Sequence, residues 1–381
     1  MQPQLLGAYF DILQDRFSQN SFPLSFLSDT FTDVEAWQKE ARAAVKNLLS
    51  YTPSKMPLDE MVHESYVKDG LLYKHVSYAQ PYGPRTQGIL MCPEKAGGIL
   101  PGILALHDHG GFKYYGKEKI TWPRNHPPIM EEYKDLYYEG RAWAAELARR
   151  GYAVFVPDLF LWGSRKMRIE DIPAWYCRDV YKGLCAPVDS EEHILAYNKF
   201  CADKETDIAK AFTETGITWP GLMVADDMRA MDFLASQPNV DENNLSCGGL
   251  SGGGQRTVYL SAMDERVKCS VCVGLMSTFE EVALYKIYTH TWMMYLPGLV
   301  NLMDFTDLYS LHGKKPTMVL FSTDDPLFTP KGQEDANTRL EAIYTKMGVP
   351  ELYTGIFYPG VHRFDIEMQE EAFSFYDKWL K

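Results

Sequence analysis

The segment Gly249-Leu250-Ser251-Gly252-Gly253 sets a hydroxyl among glycines where an apolar run, Leu245 to Leu250, gives way to a helix-forming stretch starting near Gln255. A serine in that setting reads as a nucleophile on a strained strand-to-helix turn. Side chains two residues to either side would collide with neighbouring backbone, and Gly249 and Gly253 remove them. The following helix directs its N-terminus at the serine oxygen, and the Gly252 N–H becomes a donor to negative charge formed there.

A serine hydroxyl needs a base, and the base needs an orienting acid. Three histidines follow Ser251: His290, His312 and His362. His362 lies in the loop Phe357-Tyr358-Pro359-Gly360-Val361-His362-Arg363-Phe364, between the last strand and the last helix, and is the expected base. His290 reads as a core or pocket-lining residue and His312 as a surface residue. The acid is expected after the apolar run Thr317 to Phe321, where Asp324 and Asp325 compete. Asp325, followed by Pro326-Leu327, is favoured, and Asp324 reads as solvated or turn-capping.

A second oxyanion donor is expected from the loop after Gly102 to Leu106, which runs His107-Asp108-His109-Gly110-Gly111-Phe112, with Gly111 or Phe112 donating. His107, Asp108 and His109 alternate faces along an extended chain and lack a partner cluster. Cys269-x-x-Cys272 lacks a second pair. No metal and no cofactor is therefore expected. Asp158, after another strand, reads as a hydrogen-bond acceptor for loop backbone.

The elements that must carry these residues follow from periodicity. Asp33 is a candidate N-cap for a helix through Glu35, Trp37, Ala41, Val45 and Leu48-Leu49, stopped by Pro53 and Pro57. From Val62 to Cys92 the pattern alternates, with Asp69-Gly70 as a hairpin turn. Short apolar runs then alternate with helices: Gly102 to Leu106, helix Tyr137 to Arg150, Gly151 to Asp158, helix Trp219 to Ser236, Leu245 to Leu250, Val267 to Gly274, Thr317 to Phe321, Tyr353 to Phe357, helix Glu370 to Leu380. The implied fold is α/β, with a mostly parallel central sheet and helices on both faces. Residues 1–60 form an N-terminal helical extension and residues 61–381 the catalytic domain. Two segments interrupt the alternation, 159–204 and 277–312, both after strand C-termini, where such sheets place their crevice. They read as cap insertions, and their Trp162, Trp175, His290, Trp292 and Tyr295 as substrate-binding residues of an aromatic, apolar pocket.

The 381 residues are 46% hydrophobic and 23% charged, which excludes wholesale disorder, and carry a net charge of −13. An acidic chain gains nothing from neutralising phosphates, so nucleic acid and anionic membrane are not expected partners. No apolar run reaches the ~18 residues of a membrane-spanning helix. The sequence shows no secretory leader, and seven cysteines form no regular framework, so a cytoplasmic location is expected. The N-terminal helices either cover a sheet face or form a homo-oligomer interface.

Taken in order, His109-Gly110-Gly111, the Ser251 pentapeptide, Asp325 and His362 resemble the α/β-hydrolase superfamily, over about Leu72 to Leu380. The N-terminal extension, the stretch from His290-Thr291-Trp292 to Leu299, and Gly360 to Phe364 resemble its dienelactone hydrolase and acetyl xylan esterase-like branch. The resemblance implies a serine hydrolase cleaving carboxylic esters of a small-molecule or oligosaccharide substrate, with carbohydrate deacetylation as the finer expectation. Dienelactone hydrolases proper place Cys where this chain has Ser251, which points to ordinary ester hydrolysis. Oligomeric acetyl xylan esterases place Gln where it has Gly252. A carbon–carbon bond hydrolase or a serine peptidase would use the same triad, though prolyl-oligopeptidase-type peptidases usually carry a propeller that this chain is too short to hold.

Overall fold

The computed structural model describes residues 6–52 and 55–381. Pro53, expected to stop the second helix, lies outside them. Helices α1 (Phe10–Ser18) and α2 (Val34–Leu49) precede the sheet. The Asp33 carboxylate accepts from the Ala36 N–H and caps α2. The apolar stripe Trp37, Ala41, Val45 and Leu49 enters the same core as Trp219, Tyr259 and Tyr309, so the extension is fused to the main body.

An antiparallel hairpin, β1 (Met61–Lys68) and β2 (Leu71–Tyr78), turns at Asp69-Gly70, both at positive φ. β3 (Thr86–Pro93) pairs antiparallel with β2 and with β5 (Ala153–Pro157). From there the sheet is parallel, through β4 (Leu100–Ala105), β6 (Val240–Leu250), β7 (Val267–Val273), β8 (Thr317–Ser322) and β9 (Tyr353–Tyr358). The order is β1-β2-β3-β5-β4-β6-β7-β8-β9. β5 and β8 are wholly buried, which is why these strands read as continuous apolar runs.

Helices cover both faces. α3 (Ile129–Tyr138), α4 (Trp143–Arg149) and α11 (Ile366–Leu380) share one core with Ile103, Val154 and Val271. On the other face lie α6 (Trp219–Ala235), α7 (Gly252–Met263), a single turn α8 (Phe279–Glu281), α9 (Phe305–Ser310) and α10 (Pro330–Lys346). Among the described residues, no helix is long and apolar enough to cross a membrane.

Four expectations are corrected. The helix expected over Tyr137 to Arg150 is two, because Glu139 and Gly140 at positive φ end α3 and redirect the chain into α4. The elbow helix starts at Gly252, three residues before Gln255. The first insertion runs beyond Lys204, because its second half is a 25-residue helix, α5 (Glu191–Thr215). His312 is fully buried rather than at the surface, its Nδ1 3.0 Å from Thr317 Oγ1 and its Nε2 3.2 Å from the Val267 carbonyl. The imidazole thereby stitches the starts of β7 and β8 together.

Candidate active site

Ser251 follows β6 directly at φ 57°, ψ −117°, a conformation that costs a non-glycine residue of order 1–3 kcal/mol. Its own N–H is anchored on the Val273 carbonyl at 2.8 Å, and the Gly252 N–H opens α7. The side chain faces a cavity of about 480 Å³. The wall includes Gly110, Tyr137, Glu205, His290, Thr291 and His362.

His362 reaches that cavity from the loop after β9, its ring against the backbone of Gly274. Its Nδ1 is 2.6 Å from Asp325 Oδ2. The other carboxylate oxygen of Asp325 accepts the Leu327 N–H at 2.9 Å, and the residue is buried just beyond β8. This geometry separates the two competing aspartates. Asp324 is exposed and accepts the Gly360 N–H at 3.1 Å, bracing the histidine loop without touching the ring.

The loop after β4 differs from its expected role. Gly110 and Gly111 take φ of 53° and 64°, which fold the loop back on His109. The Gly111 N–H then donates to His109 Nδ1 at 3.0 Å, and the Phe112 N–H to the His109 carbonyl at 3.3 Å. Both expected oxyanion donors are thus committed. Among the described residues, the N–H groups of His109 and Gly252 donate to no acceptor. They also lie side by side: a Cβ placed on Gly252 would come within 2.7 Å of the His109 nitrogen.

His109 accepts at Nδ1, so its proton sits on Nε2, 3.5 Å from Glu205 Oε1. Burial lowers the ring's proton affinity, which keeps it neutral. Glu205 also receives the Thr291 hydroxyl and lies 3.3 Å from the buried Lys113 ammonium. Burial works against its charge, but His109, Lys113 and Thr291 prevail and hold the carboxyl down to about 2. Glu205 is the functional-site residue that pattern reading missed. No sequence signal marks it, since a glutamate inside a long helix usually faces solvent.

The expected aromatic pocket wall is also corrected. Of its five residues, His290 lines the cavity, its ring 4.9 Å from that of Phe328, and burial pushes it down to about 4. Trp162 is fully buried behind the His109 loop, with ring centroids 5.1 Å apart. Trp175 is 71% exposed, its ring edge-on to Tyr176 and away from the cavity. Trp292 and Tyr295 line a separate groove of about 280 Å³ with Phe212 and Trp219. The cavity wall is mixed: Glu205, Thr289, Thr291 and His290 share it with Leu250, Pro326, Leu327 and the Tyr137 ring. Asp158 serves loop backbone as expected, accepting from the N–H groups of Lys117 and Ser164 and pairing with the Lys117 ammonium at 2.8 Å.

The dienelactone hydrolase family model matches residues 138–364, more than half of the chain. The chain belongs to the dienelactone hydrolase family. That matched span runs from the end of α3 through the elbow and Asp325 to two residues past His362. One relative is the Bacillus subtilis (strain 168) protein named "Putative hydrolase YtaP". It is 25% identical over 291 residues, which are 76% of this chain and 81% of the relative. Among solved structures, the "putative acetyl xylan esterase" of Bacteroides fragilis NCTC 9343 superimposes with a TM-score of 0.69 at 15% identity, covering 93% of this chain and 82% of the other. A glucuronoyl esterase from Solibacter usitatus gives 0.60 at 15% identity, covering 92% and 95%. These structural likenesses show the α/β-hydrolase fold. The protein is thus a hydrolase of the dienelactone hydrolase type.

Proposed function

We propose that the protein hydrolyses carboxylic esters through Ser251, His362 and Asp325. The observation that carries this reading is the meeting of three groups at one cavity: a serine on a strained elbow, a histidine whose far nitrogen is fixed by a buried aspartate, and two unused N–H groups beside the serine.

The chemistry follows from those positions. Asp325 holds the Nδ1 proton of His362, which leaves Nε2 to accept the proton of Ser251 Oγ as that oxygen attacks the ester carbonyl. The N–H groups of His109 and Gly252 receive the oxyanion. The adduct collapses with transfer of the proton from His362 to the leaving alkoxide, which departs as alcohol. Water, deprotonated by His362, then attacks the acyl-enzyme. The second adduct returns a proton to Ser251 and releases the carboxylic acid.

The cavity's chemistry supports a neutral ester with a hydroxyl-bearing alcohol. Glu205, Tyr137, His290, Thr289 and Thr291 offer polar contacts to an alcohol moiety, and Leu250, Pro326 and Leu327 offer apolar wall to an acyl group. An acetylated carbohydrate is such a substrate. The seven unpaired cysteines support a reducing, cytoplasmic compartment.

The test is a paired assay. Hydrolysis of p-nitrophenyl acetate, butyrate and octanoate is compared with acetate release from acetylated xylo-oligosaccharide, with Ser251→Ala as control. Fast acetyl release from both substrate types, lost in Ser251→Ala, is the expected result. Preference for octanoate would overturn the carbohydrate reading, and unchanged turnover in Ser251→Ala would overturn the nucleophile.

A further inference from the structure

Lys119 is buried completely, and its ammonium is turned inward rather than toward solvent. Its Nζ donates to the Asp108 carbonyl and to the His109 carbonyl, both at 2.9 Å, and lies 3.6 Å from Asp108 Oδ2. The Asp108 carboxylate is in turn bound by the hydroxyls of Tyr133 and Tyr138. Burying an ammonium is costly unless its charge and donors are met, and here three oxygens from two consecutive residues meet them. A lysine placed only to fill space would be replaced by a hydrocarbon at lower cost. What it holds is a stretch of backbone.

That backbone matters because of peptide planarity. The Asp108 carbonyl and the His109 N–H belong to one peptide unit, which is trans, so they point in opposite directions across one plane. Pinning the oxygen on Lys119, on the interior side and with His107 Nδ1 3.0 Å from the same oxygen, turns the nitrogen's proton toward Gly252. A cation at the carbonyl oxygen also draws electron density out of the amide and strengthens the N–H as a donor. The His109 carbonyl, also held by Lys119, receives the Phe112 N–H and faces the Trp162 Nε1–H at 3.4 Å, which fixes the next peptide plane.

We propose that Lys119 is a positioning residue for the oxyanion hole: by holding the Asp108 carbonyl, its ammonium aims and polarises the His109 N–H toward the oxygen that turns negative when Ser251 attacks. This rests on the ester-hydrolysis reading above. Lys119 touches neither substrate nor Ser251. It acts through one amide plane, on the transition state rather than the ground state. Burial lowers the ammonium to about 8, against support from Asp108, which leaves it charged near neutrality.

The experiment compares Lys119→Met, which keeps the stem and removes charge and donors, with Lys119→Gln, which restores a donor without charge. Turnover of p-nitrophenyl acetate is measured beside inhibition by an aryl trifluoromethyl ketone, whose adduct on Ser251 carries an oxyanion. Lys119→Met is expected to lose about 10²-fold in kcat with KM changed little, the loss of one donor's worth of oxyanion binding. Affinity for the ketone falls in parallel, and Lys119→Gln recovers part of both. A folded Lys119→Met with kcat within about threefold of the parent would overturn the proposal, as would a rise in KM at constant kcat. Should both variants fail to fold, the parent protein labelled with 15N-histidine decides: the His109 amide resonance must move downfield when the ketone binds, and an unmoved resonance overturns the assignment. Parent turnover with loss in Ser251→Ala tests the ester-hydrolysis reading separately, so failure of either is distinguishable.

Discussion

Gly249 and Gly253, on either side of Ser251, press against one and the same atom. A Cβ on Gly249 would lie 2.2 Å, and one on Gly253 2.1 Å, from the carbonyl oxygen of Leu106, the residue after β4. The elbow and the His109 loop are therefore locked at one point. Gly249→Ala and Gly253→Ala must each push β6 or α7 away from that carbonyl. Each is expected to lower the melting temperature by roughly 4–6 °C, the scale of a backbone clash of a few kcal/mol in a chain of this size. Thermal unfolding followed by circular dichroism checks this, and a shift under ~2 °C for either variant contradicts the packing described.

Asp325 and Asp324 provide an internal comparison one residue apart. Asp325→Asn keeps the size but lets the side chain donate to His362 Nδ1, which selects the wrong tautomer, and kcat is expected to fall about 10⁴-fold. Asp324→Asn keeps an acceptor for the Gly360 N–H and is expected to leave kcat within about threefold. Steady-state kinetics on p-nitrophenyl acetate reads both, and equal losses would remove Asp325 from its assigned role.

Glu205 faces the cavity as an ionised carboxylate and is expected to meet hydroxyls of the alcohol moiety. Glu205→Gln keeps the shape and halves the acceptor capacity. The expected outcome is a rise in KM of about tenfold for acetylated xylo-oligosaccharide, against a much smaller change for p-nitrophenyl acetate. An equal change on both substrates would mean that Glu205 only braces Thr291 and His109.

His312 gives a pH dependence with a definite sign. Burial lowers its ring to about 3, whereas an exposed imidazole titrates near 6.5. Between those values the unfolded chain takes up a proton that the native ring refuses, so this group's contribution to stability falls as pH drops from ~6.5 toward 3. His312→Gln is expected to reduce stability at pH 7.5 through its lost partners, and to lose less than the parent between pH 6.5 and 4.5. Urea unfolding midpoints at the two pH values measure the difference, and parallel losses would show that His312 does not titrate on unfolding.

What was legible in the sequence was local. The Ser251 elbow, the apolar run before Asp325 and the loop holding His362 each announce themselves within ten residues, because strand burial and glycine turns leave short patterns. What was illegible depends on contacts across the chain. Which N–H stays free near Ser251 is decided by two consecutive positive-φ glycines, so Gly111 and Phe112 looked as eligible as His109. Lys119 carries no mark, since only folding brings it over the Asp108 carbonyl. The aromatics were misleading because Trp162, Trp175 and Tyr295 serve packing, solvent and a neighbouring groove by tertiary placement alone. α5 escaped because Ile194, Tyr197, Phe200 and Cys201 answer to a small core of their own, completed by Tyr114 from the distant loop after β4.

That small core has an evolutionary corollary. Ser251, Asp325 and His362 all follow sheet strands, whereas Glu205 hangs on a helix whose packing partners are mostly its own loop, Ile169, Cys177 and Leu184 among them. The helix reaches the catalytic side through Asn198, which accepts the Lys113 and Tyr114 N–H groups, and through Glu205, which meets Lys113, His109 and Thr291. Under the proposed ester hydrolysis, substitutions on the cavity-facing side of α5 would change which alcohol is accepted while the strand-borne serine, histidine and aspartate stay as they are.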